Sequence, residues 1–222
     1  MKTRFPDLVP IGRSASYKLQ AYWATALGDL PPSRRRKLKA IRAGDGLKLH
    51  IASGPVPRDG WLNIDVASNA DISRDLRRPF PLPGGCAKYI FSEHFVDHVQ
   101  YPDVITRVLA ECQRLLESGG VARFVLHDAK AMCLAYATDD ANYFRRGEHD
   151  NMLPIKAVKQ LFRFNDFQQF LYDFPLFHDL LLKAGFSKVD RRVFKTGPHP
   201  ELLLDYDFES RDGLSMYIVA II

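Results

Sequence analysis

Apolar runs in this chain end repeatedly on small or acidic residues. Leu49-His50-Ile51 stops at Ala52-Ser53-Gly54, and Trp61-Leu62-Asn63-Ile64 stops at Asp65. Small residues at a strand's end let the backbone approach a ligand closely. An acid at the tip of the next strand can accept both hydroxyls of a ribose. Together they call for a nucleoside-bearing ligand laid across the carboxyl ends of parallel strands. Ala70 to Leu76 is a third short run, carrying Asp75 at its end. Lys88-Tyr89-Ile90-Phe91 leads into Ser92-Glu93-His94, and Val121 to Leu126 leads into His127-Asp128. An imidazole in such a place, with a pKa near neutrality, suits the removal of a proton.

Those tips need a scaffold, and the rest of the sequence supplies one. From Leu47 onward, strand-like and helix-like patterns alternate, which argues for a parallel sheet covered on both faces. In residues 102–116, Val104, Val108, Leu109, Cys112 and Leu115-Leu116 share one helical face, and Gly119-Gly120 is read as the stop. Residues 129–170, rich in Tyr, Phe, Asn and Asp, are expected to form a helical insertion above the strand ends. Phe174 to Ala184 reads as a helix stopped by Gly185, and Lys188 to Lys195 and Leu214 to Ile222 read as closing strands. Residues 1–46 read as a helical extension, broken at Pro31-Pro32 and closed by Gly44-Asp45-Gly46.

With 222 residues, 46% of them hydrophobic, the chain can bury one substantial core. The three cysteines, Cys86, Cys112 and Cys133, form no CxxC pair, which disfavours both a disulfide framework and a cysteine-rich zinc site. The first residues lack the apolar centre of a signal peptide, and no stretch approaches the roughly 20 apolar residues of a membrane span. A cytoplasmic location is the expectation. The net charge is +5, with Arg34-Arg35-Arg36-Lys37, Lys39 and Arg42 forming a dense patch. Such a patch can meet phosphate. No aromatic residues are interleaved as a single-strand stacking platform requires, so a solvated helix face is preferred and nucleic acid is not the expected partner.

In order and spacing, IASGP, WLNID, DISRDL, SEHFVDH, LLESGGVARFVLHD and LYDFPLFHDLLLKAGF resemble a class I S-adenosylmethionine-dependent methyltransferase. The likeness is to the small bacterial group of predicted methyltransferases with a methyltransferase type 11 domain, and it runs from about Leu47 to the C-terminus. The resemblance implies a doubly wound, Rossmann-like α/β domain over 47–222. Its sheet would have seven strands, mostly parallel, with an antiparallel C-terminal strand. The chain departs from the usual GxGxG loop: Ala52 stands at its first glycine and Val56 at its third. The stretch from Gly54 to Asp65 is also too short for a full helix.

S-adenosylmethionine is the cofactor that the resemblance implies. Ala52, Ser53 and Gly54 would then approach its methionine moiety, Asp65 would accept the ribose hydroxyls, and Asp75 and the Leu76 amide would meet the adenine. Ser92 would lie near the transferable methyl group. Asp65 and Asp75 each have a plainer reading as turn-capping acids. His94, His98 and His127 are candidate bases for a hydroxyl acceptor, with Asp128 placed in sequence to orient one of them; His94, His127 and Asp128 are taken as the catalytic set. If one helical turn carries His94-x-x-Asp97-His98, those three side chains are close enough to share a metal. The competing reading is a helix start in which His98 packs locally, and no metal is expected. Tyr136, Tyr143, Phe144, Arg145 and Arg146 offer a lid or acceptor wall, or simply core, and Gly197-Pro198-His199-Pro200-Glu201 a rim or a rigid connector. Methyl transfer to a small-molecule or sugar-containing acceptor, with oxygen favoured, is the expected activity. A catalytically silent cofactor-binding partner domain is the alternative.

Overall fold

A computed structural model describes residues 46–55, 57–67, 69–145, 153–163, 168–205 and 213–222. The sequence's helical extension and its Arg34–Arg42 patch therefore lie outside the described residues, apart from Gly46. Seven strands form one sheet: β1 (Leu47–Ile51), β2 (Leu62–Asp65), β3 (Ile72–Ser73), β4 (Ala87–Glu93), β5 (Leu116–His127), β6 (Lys188–Arg192) and β7 (Ser215–Ile221). Their order across the sheet is β3-β2-β1-β4-β5-β7-β6. The pairings among β1 to β5 are parallel, while β7 runs antiparallel to both β5 and β6. This is the Rossmann-like α/β architecture anticipated from the sequence. Strand order reverses at β1 and β4, so the carboxyl tips of these neighbours flank a crevice where ligands bind in open α/β sheets.

Side-chain alternation along the strands sorts residues between two layers. On β5, Ala122, Phe124 and Leu126 face the larger core, which they share with Ile51, Ile64 and Ile90. Helix α1 (Asp103–Leu115) seals that core with Val104, Ile105, Val108, Leu109, Cys112 and Leu115. Helices α2 (Ala129–Ala137) and α3 (Pro154–Arg163) follow β5. Helix α4 (Phe174–Lys183) adds Phe177, Leu180 and Leu181 to the burial and is capped by Asp173, whose side chain accepts from the Leu176 amide at 3.0 Å. On the other face Trp61, Tyr89, Phe91, Val121, Val125, Tyr217 and Val219 gather around Leu202. No helix among the described residues is long and apolar enough to cross a membrane.

Two local departures from expectation have physical reasons. The third strand has only two residues, because Asp75 and Leu76 already belong to a turn. Gly119-Gly120 does not stop a helix: α1 ends at Leu115, and β5 pairing jumps from Ala87–Leu116 to Tyr89–Val121. The intervening bulge needs Gly119, at φ +74°. Of the two roles open to residues 197–201, the structure agrees with the connector: the His199 ring lies tilted beside Tyr89 (centroids 5.7 Å apart) and Leu202 is buried on the sheet face.

Arg123 sits on β5 with its side chain wholly buried, paired with the equally buried Asp205. Its Nε donates to Asp205 Oδ1 at 2.6 Å, and Nη1 and Nη2 reach the carbonyls of Thr196 and Val193 at 3.1 and 3.3 Å. One guanidinium thereby ties the 193–205 connector to the middle of the sheet.

His50 on β1 is buried beside Phe91, with Nδ1 3.2 Å from Asn63 Oδ1. Burial lowers its pKa to about 4, against the opposing Asn63 hydrogen bond and with help from Arg58. Between that value and the ordinary 6.5, the unfolded chain takes up a proton that the native protein refuses. Stability is therefore lost as the pH is lowered through this window, by on the order of 3 kcal/mol when complete. Urea unfolding at pH 7 and pH 4.5 should show wild type losing more stability than His50→Gln. Equal losses would remove the linkage from His50.

Candidate active site at the carboxyl edge of the sheet

The loop leaving β1 is set by backbone geometry. Ala52 adopts φ +58° and Gly54 φ +60°. A left-handed turn is free for glycine but costs an alanine roughly 1 kcal/mol, so Ala52 holds its place under strain. The Ala52 amide donates to the Ile64 carbonyl at 2.8 Å, and the Gly54 amide to Asp65 Oδ2 at 2.9 Å. Asp65 Oδ1 also accepts from the Ala67 amide at 2.8 Å. The second-strand acid is thus a staple between two loops, with lone pairs remaining on both oxygens. No helix joins β1 to β2 among the described residues, as their short spacing requires.

Ser53 follows in the same loop, and Ser92 lies opposite, on β4 between Ile51 of β1 and Phe124 of β5. Both hydroxyls are buried without a hydrogen-bond partner among the described residues. The space where a Cβ on Gly54 would stand is open. Asp75 and Leu76 line a cleft of about 670 Å³ against Val104, Arg107 and Glu111 of α1. Asp75 itself is gripped by Arg77, whose Nε and Nη2 each lie 2.8 Å from a carboxylate oxygen. Burial opposes ionisation of Asp75, but the Arg77 hydrogen bonds and charge hold its carboxyl below the usual carboxylate range.

Next to this rim stands a polar cluster from three elements. His94 follows β4 at φ +47°, its amide tied to the Val125 carbonyl at 2.8 Å. Asp97 lies in a single 3-10 turn (Val96–His98), and His127 ends β5. His127 Nδ1 is 2.9 Å from Asp97 Oδ2, His94 Nδ1 is 3.9 Å from the same oxygen, and the two rings are 4.3 Å apart. Asp97 has no exposed surface. Burial would raise its carboxyl, yet the hydrogen bonds and charges of His127 and His94 outweigh it and hold the group well below the ordinary carboxylate pKa. Ser215 Oγ lies 3.3 Å from His94 Nε2, and Gln168 Nε2 lies 3.5 Å from His127 Nδ1.

Of the residues anticipated, His94 and His127 are brought together, and Ala52, Ser53, Gly54, Asp65 and Ser92 gather on the adjoining tips. Asp128 does not orient a histidine. Its side chain caps α2 through the Ala131 amide (3.1 Å) and pairs with Arg191. Asp97, His94 and His127 form the cluster, whereas the sequence spacing offers His98 as the third member beside His94 and Asp97. Ser215 was not anticipated, although an antiparallel last strand necessarily brings its first residue to the carboxyl edge. Tyr143 and Phe144 are core, packed with Met132, Ala135, Ala157 and Leu214. Tyr136 is 44% exposed, and Arg146 lies outside the described residues.

No protein-family model and no curated protein matches this chain. Solved structures do. An S-adenosylmethionine-dependent methyltransferase of Methanosarcina mazei aligns over 87% of this chain and 98% of its own, at 13% identity and a TM-score of 0.51. One of Mesorhizobium loti aligns over 84% and 96%, at 14% identity and a TM-score of 0.49. A Thermotoga maritima protein described as a possible histamine N-methyltransferase covers 94% of both chains, at 15% identity and a TM-score of 0.48. The M. mazei likeness supports the fold described above; the chemistry has to come from the site.

Proposed function

We propose that this chain is an S-adenosylmethionine-dependent methyltransferase acting on a hydroxyl of a small-molecule or sugar-containing acceptor. The observation that carries the reading is the pair of buried hydroxyls of Ser53 and Ser92, without partners among the described residues, on the strand tips that also carry the open left-handed turn at Gly54 and Asp65. Buried polar atoms without partners are costly, and a polar ligand on the strand tips would satisfy them. The residues fit the cofactor. Ala52–Gly54 would meet the methionine moiety, Asp65 the ribose, Asp75 and Leu76 the adenine, and Ser92 the region of the methyl group. For Asp75 to take that part, Arg77, which is more exposed than its partner, has to release one carboxylate oxygen.

When bound, the cofactor supplies a methyl group already activated on a sulfonium. The protein is left with positioning the acceptor and removing its proton. Asp97 holds His127 through Nδ1, which leaves Nε2 as the basic nitrogen of the ring. A fixed carboxylate behind an imidazole also stabilises the imidazolium formed when a hydroxyl proton is taken up.

Two measurements test this. Mass spectrometry of the purified protein should find co-purified S-adenosylhomocysteine, and calorimetry should detect S-adenosylmethionine binding that Asp65→Ala weakens by about 1–3 kcal/mol, the cost of unpaired buried hydroxyls. Unchanged affinity in Asp65→Ala would remove the ribose assignment. Failure of the wild type to bind would leave a silent domain of the same fold.

A further inference from the structure

We propose that His94, Asp97 and His127 form a binding site for a divalent transition-metal cation, held by two imidazole nitrogens and one carboxylate oxygen. One ligand atom from each residue lies within 4.8 Å of the others, so small side-chain adjustments bring all three to coordination distance. The set differs from the one that sequence spacing pointed to, because His98 is not in it.

The buried carboxylate is the strongest argument. Asp97 is completely enclosed, and its Oδ1 has no hydrogen-bond partner among the described residues. Both histidine contacts fall on Oδ2, and a buried carboxylate oxygen left without a partner is costly unless a donor or a metal meets it. The surroundings also pre-orient the ligands. Ser215 beside His94 Nε2 leaves Nδ1 turned toward Asp97, the kind of outer contact that fixes a ligating histidine. The Asp97 carbonyl is anchored by the amides of Gln169 and Phe170 at 2.8 and 3.2 Å. His127 is fixed by β5, which pairs with β4 and β7 on either side.

The donor set selects the ion. Two imidazoles and a carboxylate suit Zn²⁺, Co²⁺ or Ni²⁺, whereas Mg²⁺ and Ca²⁺ favour all-oxygen sites. Three protein ligands leave a position open, as in catalytic rather than structural sites. On the methyl-transfer reading, that position takes the acceptor oxygen. Its O–H bond breaks as the metal–oxygen bond gains strength, and the proton leaves to solvent. The cation then does the work that His127 Nε2 does in the metal-free protein.

The test uses the full chain without a histidine tag, stripped with chelator and titrated with Co²⁺ and Zn²⁺. Visible absorption and elemental analysis report binding. About one equivalent should bind, unaffected by millimolar Mg²⁺. His94→Ala, His127→Ala and Asp97→Asn should each weaken binding about tenfold or more, with folding checked by circular dichroism. His178→Ala and His199→Ala should leave it unchanged. Absence of stoichiometric binding, or equal affinity in the folded His94→Ala and His127→Ala variants, overturns the site. None of these readouts needs S-adenosylmethionine, so failure here is distinct from failure of the methyl-transfer reading.

Discussion

Arg123→Leu should destabilise the protein by about 3–5 kcal/mol, the cost of stranding one member of a buried ion pair. Its partner Asp205 would be left charged, with no exposed surface and without the guanidinium. The variant would also lose the contacts to Thr196 and Val193, freeing the connector that covers Tyr89 and Tyr217. Urea unfolding measures the loss. A double replacement, Arg123→Leu with Asp205→Leu, should recover most of it, since replacing both charges by apolar side chains is often neutral. A single-variant loss below about 1 kcal/mol, the scale of exposed pairs, would show that water reaches the pair.

The second large effect concerns turnover. Once a metabolite screen furnishes an acceptor, His127→Ala should slow methyl transfer by about 10²–10⁴-fold while leaving S-adenosylmethionine affinity unchanged. Among the described residues, the hydrogen bonds and ring contacts of His127 run to Asp97, Gln168 and His94 and not to the residues proposed to hold the cofactor, so the two readouts should separate. An acceptor turned over at the wild-type rate by His127→Ala would remove this residue from the chemistry and point to an acceptor needing no deprotonation.

The parts of the site that were legible in the sequence are those where one residue's position follows from its own strand. Asp65, Ser92, His94 and His127 each end or closely follow an apolar run, and the ends of parallel strands share one edge. What stayed hidden depends on register between distant segments. Asp97 and His127 are 30 residues apart, and Ser215 and His94 are 121 apart; neither spacing is periodic. Asp128 misled because it adjoins His127. Consecutive residues on extended backbone point to opposite sides, and an acid three residues before an amide in need of a partner is first of all a helix cap. The fold itself was more legible, because alternation of strand and helix survives a bulge at Glu117–Gly120 or a two-residue β3.

Because β7 runs against its neighbours, it enters at the edge that carries His94 and His127 and departs from the far side. Six residue steps, about 20 Å of extended chain, separate Ser215 from Ile221, and Ile222 is fastened to the Gly120 carbonyl. Chain continuing past Ile222 starts from the far side of the sheet. A removable affinity handle, a fluorophore or a surface tether is best joined there. Joined near Ser215 instead, it would crowd His94 and His127.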